Sequence, residues 1–185
     1  MIIGIVGQPA AGKDTLAGFL EKQGFYHIST GDFLRQELTR QGGGSSDRQA
    51  LHNFVTTMRE QHGAGYPTTE LLKSIAGKNT ILTGLRQIAE IEILRSQKDD
   101  QFILIAISAP IEKRFQWAHA RKREGDNISF KEFKRQEDQE RAGTAHQVDA
   151  VMASADILIE NDGTIEDLGE KLRRALSSAG YPKRS

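Results

Sequence analysis

The sequence has no cysteine. That excludes a disulfide framework and thiolate metal sites. It also lacks an excess of either charge: 25 Lys and Arg balance 25 Asp and Glu, for a formal net charge of zero. No global field therefore draws the chain to nucleic acid or to an anionic membrane surface. Long hydrophobic runs are missing too, since no stretch approaches the ~20 apolar residues that a spanning helix needs. The first apolar residues read as a core strand and not as a signal peptide, so a cytoplasmic location is expected, without nucleic-acid or membrane partners. At 185 residues the chain suits one domain with a full core, plus at most a mobile insertion. Nothing in the sequence speaks to the oligomeric state.

The most informative stretch lies at the start. Ile2 to Val6 is a short apolar run, followed at once by Gly7-x-x-x-x-Gly12-Lys13 and by a helical pattern with Leu16, Phe19 and Leu20 on one face. Strand, glycine loop, lysine and helix in that order build a phosphate cradle. Gly7 and Gly12 permit backbone angles that a side chain forbids, so the amides of the loop, Ala10 and Ala11 included, can turn toward an anion. The helix adds the positive end of its dipole, and Lys13 adds a mobile charge. An ordinary strand-to-helix turn would not need the lysine. After Lys13 stands Asp14, where Ser or Thr is usual, and then Thr15. These two are the candidates for holding magnesium, directly or through water.

Further apolar runs occur at Tyr26-His27-Ile28, at Thr80 to Thr83, at Phe102 to Ile107 and at Asp156 to Ile159. Their hydrophobicity is continuous rather than alternating, which indicates strands buried on both faces. The expected fold is a doubly wound α/β domain: a five-stranded parallel sheet with helices on both faces and a short helical lid. Gly42-Gly43-Gly44-Ser45-Ser46 reads as a flexible break. Gly180 to Ser185 reads as a frayed tail.

Three segments beyond the first loop carry candidate chemistry. Ser29-Thr30-Gly31-Asp32-Phe33-Leu34-Arg35 passes from a strand end into a helix start, with Ser29, Thr30 or Asp32 available as caps. Ligands of open α/β sheets bind beyond the carboxyl ends of strands, so Arg35 can grip an anion there, or it is a solvated arginine on a capped helix. Thr83-Gly84-Leu85-Arg86 is a second such turn; Arg86 suits a phosphate through its two-pronged guanidinium, or it pairs with Glu90 four residues on. The basic stretch from about Arg114 to Arg135 includes Arg121 and Arg123. It fits a flap that closes over transferring phosphates, or a charge-rich solvated hairpin. Phe115 and Trp117 are expected to pack the lid helix rather than to stack on a base.

These segments resemble known families. Ser-Thr-Gly-Asp-x-Leu-Arg is very similar to the acceptor-binding turn of adenylate kinases, where threonine and arginine hold a nucleoside monophosphate. The Gly84-x-Arg86 turn resembles the Asp-Gly-x-Arg turn of nucleotide kinases, with Thr83 in the acidic place. Near the C-terminus, Ala155, Asp156, Ile159, Asn161, Gly163 and Leu168 match a pattern of dephospho-CoA kinases whose loop lies against the donor adenine. The chain therefore resembles P-loop nucleoside monophosphate kinases, with dephospho-CoA-kinase features at its end. It lacks the Asp-Gly-Phe-Pro-Arg turn of standard adenylate kinases and the Asp-x-Asp turn of dephospho-CoA kinases.

The resemblance implies one P-loop kinase domain over residues 1–185, with an acceptor-binding excursion at 29–79 and a lid at about 114–135. It implies magnesium with ATP as donor, held by Gly7, Ala10, Ala11, Gly12, Lys13, Asp14, Thr15, Arg114, Asn161 and Gly163. Thr30, Asp32, Arg35, Gly84 and Arg86 would hold a nucleoside or deoxynucleoside monophosphate. Lys13, Arg86, Arg121 and Arg123 would stabilise the transferring phosphoryl group. Two other readings stand beside it: a small-molecule kinase of the dephospho-CoA-kinase kind, and a nucleotide-binding regulator with little turnover.

Overall fold

The computed structural model describes residues 1–42, 48–75, 77–98, 101–121, 127–142 and 147–180. Five strands form one sheet: β1 (Ile2–Gly7), β2 (Tyr26–Ser29), β3 (Thr80–Thr83), β4 (Phe102–Ser108) and β5 (Ile157–Glu160). All pairs are parallel, in the order β2-β3-β1-β4-β5. Parallel neighbours need long crossovers, which here are helical. The helices are α1 (Lys13–Glu21), α2 (Thr30–Arg40), α3 (Arg48–His62), α4 (Thr68–Ser74), α5 (Ile88–Lys98), α6 (Ile111–Arg121), α7 (Phe130–Ala142), α8 (Val148–Ala153) and α9 (Ile165–Ser178).

Side chains alternate across a strand, and both faces of this sheet are covered. Ile3 and Ile5 join Ile81, Ile105 and Ile107 on one face, under Leu16 and Leu20 of α1 and Leu168, Leu172 and Leu176 of α9. Ile2 and Val6 join Leu82, Leu104 and Ala106 on the other, under Leu71 and Leu72 of α4, Leu94 of α5 and Val151 of α8. Each Val, Leu or Ile among them contributes about 1.5–3 kcal/mol by leaving water. The expected five-stranded parallel sheet with helices on both faces is therefore present.

Pairing register brings the loops that matter to one edge. Ile5 lies opposite Thr83, Gly7 opposite Ile107, Ser29 opposite Thr83, and Ser108 opposite Glu160. The turns after β1, β2, β3 and β5 thus emerge together at the carboxyl end of the sheet. Between β2 and β3 the chain runs through α2, α3 and α4. Leu34, Met58 and Tyr66 form a separate small core there. Ser29 caps α2, its hydroxyl accepting from the Asp32 amide at 3.4 Å.

The segment expected to form a lid is a hairpin of α6 and α7. Phe115 meets Phe130 and Phe133 edge-on, with ring centroids 5.3 and 5.8 Å apart, so it packs the hairpin as expected. Residues 43–46 of the expected break, Lys122 to Asp126 with Arg123 among them, and the tail from Tyr181 lie outside the described residues.

Candidate active site

The loop between β1 and α1 has the backbone its glycines foretell. Gly7 has φ +157°, and a Cβ there would stand 2.2 Å from the Ile107 carbonyl oxygen of β4. Gly12 has φ +107°, and its Cβ would stand 2.7 Å from Asn161 Nδ2. Ala10 also adopts the left-handed region, at φ +59°, a conformation that costs an alanine about 1–2 kcal/mol. Strain of this kind marks a loop shaped for something other than chain reversal. Gly12 is the N-cap of α1 and brings no side-chain cap, so the first-turn amides lean on the dipole end that suits an anion. Lys13 Nζ donates to the carbonyls of Gly7 (2.9 Å) and Gln8 (2.8 Å), which holds the ammonium over the loop.

A pocket of about 650 Å³ opens on this loop. Ala10, Gly12, Lys13, Asp14, Thr15, Arg121, Asn161 and Gly163 all line it. Pro9, Trp117, Thr164, Ile165 and Leu168 complete the wall. The pocket therefore has a cationic, amide-rich end at α1 and an apolar wall from α6 and α9. Gly7 and Ala11, also expected among the donor contacts, do not line it.

Several side chains differ from expectation. Arg114 was expected among the flap cations and donor contacts; it is 3 % exposed. Its guanidinium donates to both carboxylate oxygens of Glu137 (2.6 and 2.9 Å) and to the carbonyls of Ala109 (2.9 Å) and Pro9 (3.4 Å). Arg114 is a fixed brace between α6, α7 and the glycine loop, not a flap residue. Arg135 pairs on the surface with Glu132 one turn away and does not line the pocket. Asn161 has a structural duty: it is 7 % exposed, and Nδ2 donates to the Ala11 carbonyl at 2.9 Å. Trp117 does more than pack its helix, since it also faces the pocket. Its spacing of four from both Lys113 and Arg121 was the available signal.

Thr30, Asp32, Arg35, Gly84 and Arg86 do not line this pocket; they stand at the ends of β2 and β3 along the same sheet edge. Gly84 has φ +85°, and a Cβ there would come 2.5 Å from Thr30 Oγ1, so the two turns pack closely. Thr83, in the place expected to be acidic, is hydrogen-bonded to His27 Nε2 at 2.9 Å. Arg35 pairs with Asp32 at 2.8 Å. Arg86 is half-buried, and its turn is held by Glu90. Glu90 is 1 % exposed and accepts from the amides of Arg86 (2.7 Å) and Gln87 (2.9 Å). Burial pushes its carboxyl above the usual carboxylate range, opposed by those amides and by the Arg59 guanidinium 3.8 Å away. Burial likewise lowers Arg59, with the nearby Arg86 charge adding to the effect. Glu90 and Arg59 were missed because an acid four residues from Arg86 reads as a surface ion pair, whereas the main chain takes its oxygen.

Asp14 and Thr15, the magnesium candidates, both line the pocket beside Lys13. Among the described residues no group of three or more His, Asp or Glu forms a metal cage. One carboxylate and one hydroxyl fit an ion whose remaining ligands are waters and substrate phosphates, the usual habit of magnesium.

Comparison with known proteins follows the same lines. A family profile described as an AAA domain matches residues 6–134. The UPF0200 protein of Methanosarcina barkeri is 32% identical over 181 residues, 96% of this chain and 95% of that protein. The chain belongs to the UPF0200 family. A second UPF0200 relative, the UPF0200/UPF0201 protein of Archaeoglobus fulgidus, is 32% identical over 95% of this chain and 54% of that protein. The chain thus spans about half the length of the Archaeoglobus relative and nearly all of the Methanosarcina one. Among solved structures, shikimate kinase from Aquifex aeolicus is similar with a TM-score of 0.56 and 16% identity, over 97% of this chain and 98% of that one. Dephospho-CoA kinase from Campylobacter jejuni is similar with a TM-score of 0.55 and 14% identity, over 96% of both. At such identities the likeness shows the fold: this UPF0200 chain has the fold of P-loop kinases. No helix among the described residues is long and apolar enough to cross a membrane.

Proposed function

We propose that this protein is an ATP-dependent phosphotransferase that moves the terminal phosphoryl group of ATP to a nucleotide-type acceptor, a nucleoside or deoxynucleoside monophosphate. The observation that carries the reading is the pocket in which Lys13, the uncapped start of α1 and Arg121 meet around one cradle. In-line phosphoryl transfer needs positioning and charge neutralisation more than a covalent catalyst. In this reading Lys13 and the loop amides hold the donor phosphates, and Arg121, with Arg123 two residues on in the sequence, closes over the migrating group. Asp14 and Thr15 would hold magnesium, which supplies countercharge to the phosphates.

The acceptor half rests on the turns similar to those of adenylate kinases. Thr30, Asp32, Arg35, Gly84 and Arg86 share the sheet edge with the glycine loop. The Glu90 carboxylate fixes the Arg86 main chain, so the guanidinium starts from an anchored base. In this reading residues 1–185 work as one unit, with 29–79 presenting the acceptor and the hairpin of about 114–135, anchored at its base by the Arg114–Glu137 pair, closing over the donor. Because a phosphate acceptor is already nucleophilic, no general base is required.

The test is a thermal-shift and turnover panel of nucleoside monophosphates, deoxynucleoside monophosphates and dephospho-CoA, each with magnesium and ATP. A monophosphate that raises Tm and is consumed supports the reading. Consumption of dephospho-CoA alone moves the assignment to the second kinase class. Slow ATP hydrolysis that no acceptor accelerates makes the protein a nucleotide-dependent regulator.

A further inference from the structure

The turn that carries Arg86 is held from two sides. On the amide side, Glu90 of α5 accepts from the N–H groups of Arg86 and Gln87. On the carbonyl side the partner comes from a distant part of the chain. Gln147, at the start of α8, donates its main-chain N–H to the Arg86 carbonyl at 2.9 Å. Its side-chain Oε1 accepts the Ile88 N–H at 3.1 Å, across 59 residues of sequence. As the N-cap of α8 this side chain would ordinarily serve its own helix, yet it makes no such cap. It serves instead an amide in the first turn of α5, a group that has no partner within that helix.

The two supports differ in what they fix. Glu90 lies on the helix that the turn itself leads into, so it shapes the turn without tying it to the rest of the domain. Gln147 supplies that tie. Its carbonyl accepts the Val151 N–H at 2.8 Å, and Val151 is fully buried in the same core as Val6, the residue before Gly7. A continuous path of hydrogen bonds and packed side chains therefore runs from the Arg86 main chain through α8 to the strand that carries the glycine loop. The Arg86 guanidinium stays outside this scaffold, with no hydrogen bond or ion pair to another described residue.

We infer that Gln147 is a positioning residue for phosphoryl transfer: by tying residues 86–88 to α8, it sets where the Arg86 guanidinium stands relative to the glycine loop. This rests on the proposed function, in which Arg86 grips the acceptor phosphate. In-line transfer needs donor and acceptor phosphates in a fixed relation, and a misplacement of about 1 Å can cost on the order of a hundredfold in rate. A long side chain magnifies any tilt of its base, so the base is where such an arginine has to be held.

The experiment is a double-variant cycle. Transfer from ATP to the panel of nucleoside and deoxynucleoside monophosphates is measured for wild type, Gln147→Met, Arg86→Ala and the combined variant. Methionine keeps the bulk and reach of the side chain and removes its acceptor oxygen. Gln147→Met should lower kcat/KM for the monophosphate by roughly two- to tenfold, the worth of one neutral hydrogen bond, and leave KM for ATP unchanged. In the Arg86→Ala background the same substitution should have no further effect, because two changes acting through one group do not add. Hydrogen exchange at the Ile88 amide should quicken in Gln147→Met, while Tm stays close to wild type. An equal loss in both backgrounds, a raised KM for ATP, or unchanged kcat/KM for the monophosphate overturns the inference while the acceptor reading stands. No transfer to any monophosphate by wild type, or undiminished transfer by Arg86→Ala, overturns the acceptor reading itself, and this inference with it.

Discussion

Asn161 donates its side-chain amide to the main-chain carbonyl of Ala11 at 2.9 Å, across 150 residues of sequence. The bond joins the loop after β5 to the glycine loop after β1, and it is buried. Removing it by Asn161→Ala leaves the Ala11 carbonyl without that partner, at a cost of roughly 1–3 kcal/mol. For a chain of this size Tm should fall by about 2–4 °C per kcal/mol. ATP affinity should fall as well, because the cradle is no longer preorganised. Thermal unfolding and ATP titration of the variant check both; unchanged values for both would mean the bond carries no weight in the loop.

Arg114 and Arg121 should separate cleanly by variant. Arg114→Ala strands Glu137 in the interior, and breaking a buried pair costs roughly 3–5 kcal/mol. Replacing both partners with apolar residues, Arg114→Met with Glu137→Leu, should recover most of that stability. Arg121→Ala should leave denaturant midpoints near wild type and lower turnover. The reverse assignment would show the two arginines exchanged in role.

On the proposed function, Arg35 and Arg86 predict a different split. Arg35→Ala and Arg86→Ala should each weaken monophosphate binding by roughly ten- to a hundredfold, the equivalent of about 1.5–3 kcal/mol for a charged hydrogen bond. ATP affinity should barely change. Loss of ATP binding with acceptor binding intact would place both residues in the other half of the site.

Glu90 gives a pH signature. Burial raises its folded pKa above the ordinary value of 4.5, so the folded state holds this proton more tightly than the unfolded chain does. Its contribution to stability is full below the unfolded pKa and is lost as pH rises through the folded pKa. The stability of wild type relative to Glu90→Gln should therefore decline as pH is raised from about 4.5 toward neutrality. Denaturant unfolding across that range measures it, and a rising difference would contradict the assignment.

Much of the sheet was legible because β1 and β4 are buried on both faces and so read as continuous apolar runs. The glycine loop was legible for a related reason: Gly7 and Gly12 stand where a Cβ would strike Ile107 and Asn161. Burial of charge was not legible. Arg114 looks like any cation in a basic stretch until Glu137, 23 residues on, is brought against it by the α6–α7 hairpin. Glu90 likewise reads as a surface partner for Arg86, since sequence spacing cannot tell a side-chain pair from a carboxylate bonded to main-chain amides. Trp117 was assigned to packing because the buried face of α6, with Arg114 and Ala118, and its pocket face are only one residue apart in sequence.

The central claim is that the glycine loop drives phosphoryl transfer, and Lys13 tests it most directly. Wild type and Lys13→Ala, matched for Tm, are incubated with magnesium, ATP and the monophosphate panel, and formation of ADP and of phosphorylated acceptor is followed by phosphorus NMR. The account predicts acceptor-dependent transfer by wild type and none above background by the variant, because the side chain lies over the loop and outside the apolar core. Transfer by Lys13→Ala at the wild-type rate would contradict it.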